Sequence, residues 1–491
     1  MNRATVALFD TLRRRQTPIL GALLAAALLL RVLLAVDCPT PFGYVYDYYH
    51  EGVEMMYAKG RLPIAEDCWQ CYHPPLYYAL GLPFYAAGRR LASDPDDGPD
   101  WGLRGLTGLA LVAGALTAYF SDRVVRGLES DPALRMIGTG LILGFPCLFI
   151  SSYGPDADIV VAAVMTMFLA ALLRFAKEPD AQSVRGAIWV GALAGLAASA
   201  KYSGLIALAT AGVVLGCQML ARPNRLRTLR LALIVLVSAL AVGSWKYVDN
   251  ARRYGNLLHA NGSAEDAFEE DHDYYWDRYD FWSFHPRQIL EASAPGGPPG
   301  VLTTLPVYRS VWTTLYGMAW GDLSFFSVPG RIEDPEAPYP WKHIPPWLTG
   351  TVLFLGLVPT GLAAVGLVST IARRDYLPLL VMLALTLSAY LSWVVAQDDW
   401  ALKTKYLLFL LPVYVAYSLA GLRLVRDRRP HLIGNAAAWL LIALVLSAHV
   451  YLFAFAIGHL WPSSFIQDLS CLLGAPEVIS RMSNETRGQF P

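Results

Sequence analysis

Charge is scarce in this chain. Only 16% of its 491 residues are Asp, Glu, Lys or Arg, 55% are hydrophobic, and the mean hydropathy is +0.39. Those values exclude an ordinary soluble protein and place the chain among polytopic membrane proteins. The formal net charge is +0, so composition gives no footprint for a nucleic-acid partner. Cysteine is scarce too, with six residues. Cys147 and Cys217 lie in apolar runs, as packing residues do. Cys38, Cys68, Cys71 and Cys471 fall outside those runs. Cys68 and Cys71 form a CxxC, but a zinc site needs a second pair, which is absent. A disulfide among these four suits an oxidising compartment, and the sequence leaves the pairing open. There is no phosphate-cradling GxxxxGK[ST] loop, and no internal repeat is evident.

Long apolar runs, by contrast, are abundant. A transmembrane helix needs about 20 apolar residues, and candidates fall at 18–36, 102–125, 134–152, 157–176, 186–200, 203–220, 229–248, 346–371, 376–396, 405–424 and 434–457. The fold class expected is therefore all-α, a polytopic integral membrane protein of about eleven transmembrane helices. Arg13, Arg14 and Arg15 precede the first run, which lacks a convincing small-residue cleavage site and reads as a retained anchor rather than a signal peptide. With a cytosolic N-terminus, every short cytosolic connection is basic, as the positive-inside rule requires. They hold Arg123, Arg126 and Arg135; Lys177 and Arg185; Arg222, Arg225, Arg227 and Arg230; Arg373 and Arg374; and Arg423, Arg426, Arg428 and Arg429. The acid-rich loop 37–100, the loop 249–345 and the tail 458–491 then fall outside, beyond a transmembrane domain expected over 1–457. Leu76 to Gly88 is apolar enough to tempt a span assignment. Counting it would invert everything after it, so it is read as an amphipathic helix at the outer interface.

Several short motifs cluster on that outer side. Asp47, His50 and Glu51 follow the first run, and the segment then proceeds to Gly60-Arg61-Leu62-Pro63. His73-Pro74-Pro75-Leu76-Tyr77-Tyr78 comes next; the prolines fix the backbone at the histidine. Asp156 and Asp158 stand before the fourth run, where Asp156 also suits a helix N-cap. Lys201 sits between two short runs, and a lysine at membrane depth implies a partner, unless it snorkels to the surface. Arg31, inside the first run, is read as structural. Arg252 and Arg253 lie in Trp245–Asn256, and Lys405 precedes Tyr406-Leu407-Leu408.

In their order and spacing these motifs resemble the polyprenol-phosphate-dependent glycosyltransferases of the GT-C superfamily, which include protein O-mannosyltransferases and the bacterial transferase that adds aminoarabinose to lipid A. The similarity runs from the first span to about residue 425. It implies that Asp47, with Glu51 next, is the catalytic base. It implies that Asp156 and Asp158 hold the acceptor or a metal. His50, His73, Lys201, Arg252, Arg253 and Lys405 become candidates to bind the donor phosphate. A divalent metal, through Asp47, His50 and Asp156, is held open, and no other cofactor is assigned. The activity implied is transfer of a sugar from a polyprenyl-phosphate donor to a glycan, lipid or protein hydroxyl with inversion, on the periplasmic side of a bacterial inner membrane. Two alternatives stay open: a polyprenyl-lipid flippase or transporter, and a non-catalytic lipid-glycan binding scaffold.

Overall fold

The computed structural model describes residues 16–37, 49–221, 224–259, 279–285, 310–321, 346–397, 403–428 and 433–460. Every regular element among them is a helix. In chain order the α-helices longer than one turn are α1 (Gln16–Asp37), α2 (His50–Lys59), α3 (Leu76–Leu91), α4 (Gly98–Leu128), α5 (Pro132–Leu143), α6 (Pro146–Ser151), α7 (Ala157–Lys177), α8 (Val184–Ala200), α9 (Leu205–Ala221), α10 (Arg225–Gly243), α11 (Trp245–Tyr254), α12 (Val311–Trp320), α13 (Pro346–Thr370), α14 (Leu377–Gln397), α15 (Leu411–Arg428) and α16 (Asn435–Leu460). Eight helices among the described residues are long and apolar enough to cross a membrane, and shorter apolar helices lie in α1, α5 and α8. The chain is a polytopic α-helical membrane protein.

All eleven expected runs are helical, but three are interrupted. The run at 134–152 splits at Gly144–Phe145 because Pro146 forces the preceding residue out of the helical region, and Phe145 is extended (φ −73°, ψ 111°). The run at 229–248 ends as α10 at Gly243 and restarts after Ser244 as α11. The run at 405–424 opens with a 3₁₀ stretch, Thr404–Leu410, before α15. Cys147 is buried as expected, whereas Cys217 is exposed on α9. It sits on a face turned away from the helices that α9 packs against, so it does not pack in the core.

Cross-chain contacts sort the loops into two ends. At one end Lys201 pairs with Asp158 and Lys405 with Asp156. At the other, Arg423 pairs with Glu129, Arg426 with Asp131 (3.3 Å) and Lys177 with Asp375 (3.9 Å). The acid-bearing loops thus share one end and the arginine-bearing connections the other. α3 is not among the helices of membrane-spanning character. It packs along the first half of α4, with Tyr77, Tyr78, Gly81, Tyr85 and Gly88 buried.

Close helix crossings hold this bundle. α13 and α15 cross where Gly366 and Gly421 face each other's backbones. A Cβ on Gly366 would lie 1.9 Å from the Tyr417 carbonyl oxygen, and one on Gly421 would lie 2.0 Å from that of Leu362. Small residues are what allow backbones to approach this closely in a membrane. α7 is the most enclosed of the spanning helices along with α15, and it carries the site at its N-terminal end.

Candidate functional site

Asp156 begins α7. Its Oδ1 accepts a hydrogen bond from the Asp158 backbone N–H (3.0 Å), capping the helix, while its Oδ2 accepts from Lys405 Nζ at 2.6 Å. One carboxylate thus serves as N-cap and as ion-pair partner at once. Asp158 Oδ1 accepts from Lys201 Nζ at 2.7 Å, and its Oδ2 lies 3.7 Å from Lys405 Nζ. Asp156, Asp158 and Lys405 are 2%, 3% and 5% exposed, and the Lys201 side chain is the most open of the four at 14%. Two ammonium groups and two carboxylates therefore form a buried quartet whose formal charge cancels.

Each lysine reaches the quartet from a break in a helix. Lys201 has extended backbone (φ −161°, ψ 158°) where α8 stops, and Lys405 lies in the 3₁₀ stretch ahead of α15. Aromatic rings line the open side. Lys201 Nζ is 4.3 Å from the Tyr406 ring centroid and 5.3 Å from that of Tyr49, positions that favour a cation over the ring faces.

His73 also approaches Tyr49. The Tyr49 and His73 ring centroids are 5.6 Å apart, with Tyr72 4.0 Å and Tyr202 5.8 Å from the same imidazole. The Tyr202 hydroxyl lies 2.7 Å from the His259 carbonyl and 3.1 Å from the Tyr72 carbonyl, and it accepts from Asn250 Nδ2 (2.9 Å). Tyr77, from the turn that follows the two prolines, is buried with its hydroxyl lacking a hydrogen-bond partner among the described residues. Burial, and then the Asp156 carboxylate, raise that hydroxyl well above its ordinary value. The His-Pro-Pro segment is thereby tied to the quartet.

The loop leading to His73 is closed by a Cys68–Cys71 disulfide, which resolves the pairing the sequence left open for two of the four outer cysteines. Cys38 and Cys471 lie outside the described residues. Upstream, Gly60 ends α2 in the left-handed region (φ 63°) with its N–H on the Met56 carbonyl (3.0 Å). Arg61 then grips Asp67 through both guanidinium nitrogens (2.6 and 2.7 Å), with Lys59 at 3.0 Å. The Arg61 hydrogen bonds are the main reason the Asp67 carboxyl is held far below the usual range.

Asp47 lies outside the described residues; Tyr49, two positions on, is the near end of the site. His50 and Glu51 open α2. Burial lowers His50 to about 4, so it meets the site as a neutral imidazole at neutral pH. Burial raises Glu51, opposed by a hydrogen bond from the Trp69 backbone N–H. Burial and then the Glu51 charge raise Glu54 on the next turn. Arg252 and Arg253 stand elsewhere, on the exposed last turn of α11. Arg253 pairs with Asp249 (2.8 Å), and neighbouring Tyr254 donates to Glu66 (2.9 Å), so this pair flanks the 65–67 turn rather than the quartet.

Among the described residues no group of three His, Cys, Asp or Glu side chains is placed to hold a metal ion. At Asp156, one oxygen is used by the helix cap and the other faces an ammonium at 2.6 Å, which competes directly with a divalent cation. The described residues therefore do not form a metal donor set. Tyr49, Tyr77 and Tyr406 are site residues that motif reasoning passed over. Their signal was adjacency: each lies within four residues of a charged or histidine residue already singled out at the end of an apolar run.

No family model matches the chain, and no curated protein matches it. Solved structures similar to it include the following three. ArnT from Cupriavidus metallidurans bound to undecaprenyl phosphate is 17% identical, with 90% of this chain and 76% of that one covered and a TM-score of 0.46. The same enzyme in the apo state is 17% identical, with 85% and 80% covered and a TM-score of 0.38. The Archaeoglobus fulgidus oligosaccharyltransferase in the apo form is 16% identical, with 89% of this chain and 56% of that one covered and a TM-score of 0.46. Likeness of this degree assigns no reaction to the present chain.

The quartet generates one prediction. Removing a single member of a buried ion pair costs about 3–5 kcal/mol, because the survivor is left charged and unpaired. Lys405→Met is expected to destabilise the protein by that order, and the double variant with Asp156→Asn should recover a substantial part of the loss. Thermal unfolding of the four proteins in detergent checks this; additive effects would show that the pair is not coupled.

A second concerns pH. The folded-state value of His50 is depressed from 6.5 to about 4, so its contribution to stability is present above pH 6.5 and is lost as pH falls through about 4. Glu51 and Glu54 are raised, so their contributions are present below their unfolded values near 4.5 and lost as pH rises through their higher folded values. The unfolding midpoint of His50→Gln should decline less than that of the parent protein between pH 6.5 and 4.5. An unchanged slope would remove His50 as the cause.

Proposed function

We propose that this protein is a membrane glycosyltransferase that takes its sugar from a polyprenyl-phosphate donor. One observation carries the reading: His73 and Lys201 both approach the ring of Tyr49, two residues after Asp47, and Lys201 is held by Asp158 in the cluster with Asp156 and Lys405. A basic group, a histidine fixed by two prolines and an acid-bearing segment meet at one end of a bundle of apolar helices. That combination suits a substrate with a hydrocarbon tail and an anionic head.

The chemistry follows from the substrate. In a sugar linked to a lipid phosphate the anomeric carbon is already activated, and a phosphate is a good leaving group. The site must supply a base for the acceptor hydroxyl and positive charge for the departing phosphate. Asp47 takes the hydroxyl proton, with Glu51 the second candidate. The acceptor oxygen attacks the anomeric carbon opposite the phosphate, the bond between that carbon and the phosphate oxygen breaks, and the configuration inverts. The departing lipid phosphate gains a negative charge, which Lys201 meets first because it is the most accessible of the quartet. Asp158 holds Lys201 in place, while Lys405 lies against both Asp156 and Asp158. His73 donates a hydrogen bond. His50 assists as a neutral donor, and Arg252 and Arg253 act farther out, at the rim. The acceptor is a glycan, lipid or protein hydroxyl, and the site faces the periplasm of a bacterial inner membrane.

Interrupted helices with charge at the breaks are also a feature of transporters, and the breaks at Lys201 and before α15 favour that as the second reading. The experiment separates the two. Purified protein is incubated with radiolabelled polyprenyl-phosphate sugars and acceptor-containing membranes. The parent protein should transfer the label and Asp47→Asn should abolish turnover with expression intact. Lys201→Met should slow transfer by about a hundredfold or more, as the loss of a well-placed transition-state cation does. Full activity in Asp47→Asn would remove that residue from the mechanism, and translocation of donor without transfer would support the transporter.

A further inference from the structure

The arginine end of the bundle is not uniform. Arg126 is paired with Asp122, Arg174 with Glu178, Arg423 with Glu129 and Arg426 with Asp131. Arg185, Arg225, Arg227 and Arg230 have no carboxylate partner among the described residues; Arg227 instead donates to the Gln182 carbonyl (2.9 Å). The sequence explains the difference, since it contains no Asp or Glu between Asp180 and Asp249. The positive-inside rule accounts for arginines at this end, but not for why one group of helices leaves them all unneutralised.

Beside these arginines lies a groove. It runs between α8 and α10, encloses about 520 Å³, and is walled by apolar side chains including Val184, Ile188, Leu229, Leu233 and Val237, with Arg230 the sole charged residue in its lining. Ile188, Leu233 and Val237 are exposed (47%, 51% and 64%), on helices of membrane-spanning or shorter apolar character, so the groove opens toward hydrocarbon. From Arg230 to Ser238 it extends ~12 Å along α10 at 1.5 Å per residue, close to the ~15 Å depth of one leaflet's hydrocarbon layer.

We propose that this groove is a binding site for one anionic phospholipid, its phosphate at Arg230 and one acyl chain along Ile188, Leu233 and Val237. Charge complementarity selects the occupant. The arginines supply positive charge that nothing in the surrounding helices cancels, at the depth where a lipid headgroup sits, and the groove supplies the path for the chain. Arg185, Arg225 and Arg227 surround the headgroup. The site lies at the end of the bundle opposite the quartet, so it is separate from the donor site and stands whether or not the protein is a transferase.

Native mass spectrometry of the full-length protein in detergent tests this, by titration with phosphatidylglycerol and, separately, phosphatidylcholine of the same chain length. One phosphatidylglycerol should be retained with roughly tenfold preference, the value expected when one or two arginines meet an anionic head. Arg230→Gln, on an exposed residue, should remove most of that preference. Leu233→Trp fills the groove without changing charge and should weaken retention of both lipids, whereas Leu240→Trp, exposed on α10 but outside the groove, should change neither. Equal retention of the two lipids by the parent protein overturns the proposal without recourse to any variant. Preference that survives Arg230→Gln, or retention that survives Leu233→Trp, overturns it as well.

Discussion

The structure depends on the cancellation of charge at the end of α7. An ammonium or a carboxylate taken out of water alone is costly, and a buried pair is tolerated only when geometry and hydrogen bonding are complete. Asp156 and Asp158 meet that condition through Lys405 and Lys201, and the condition dictates much else. Both lysines reach α7 from breaks in their own helices: α8 stops at Ala200 and α15 is preceded by a 3₁₀ stretch. Three separate parts of the chain are pinned at one depth, and Tyr49, His73 and Tyr406 fill the space around the pins. Of the four charged groups, only Lys201 has appreciable access from outside. Its exposure leaves one ammonium of the quartet reachable from outside.

Much of this was legible in the sequence because membrane proteins are written in strong signals. A run such as 157–176 can hardly be anything but a spanning helix, and the arginine-bearing connections do gather at one end of the bundle. Reading Leu76–Gly88 as a non-crossing helix was necessary for that alternation; in the structure α3 packs along the first half of α4. The end of α2 at Gly60, the cap at Asp156 and the need for a partner at Lys201 were all readable from local chemistry.

The identity of that partner was not readable. Asp158 and Lys201 are 43 residues apart and Asp156 and Lys405 are 249 apart. No local pattern links them, and the partner expected from the resemblance was a phosphate. Apolar runs also concealed their own interruptions: Pro146 marks one break openly, but Ser244 and Lys403–Leu410 are broken by tertiary packing and ion pairing. Arg252 and Arg253 lie on the last turn of α11, where Arg253 pairs with Asp249 and the neighbouring Tyr254 donates to Glu66, contacts that no local pattern announces.

The two ends of the bundle use charge in opposite ways. At the quartet, opposite charges are matched within the protein. Along α8 and α10 the arginines are left unmatched, facing a membrane that can supply the anion. The reading of the quartet as a transfer site is tested most directly by a cryo-EM structure of the protein with a non-hydrolysable polyprenyl-phosphate sugar analogue. The account predicts the phosphate within hydrogen-bonding distance of Lys201 and His73, with the lipid tail running from there between the helices. Density for that phosphate at the arginine end, or anywhere out of reach of both side chains, would contradict it.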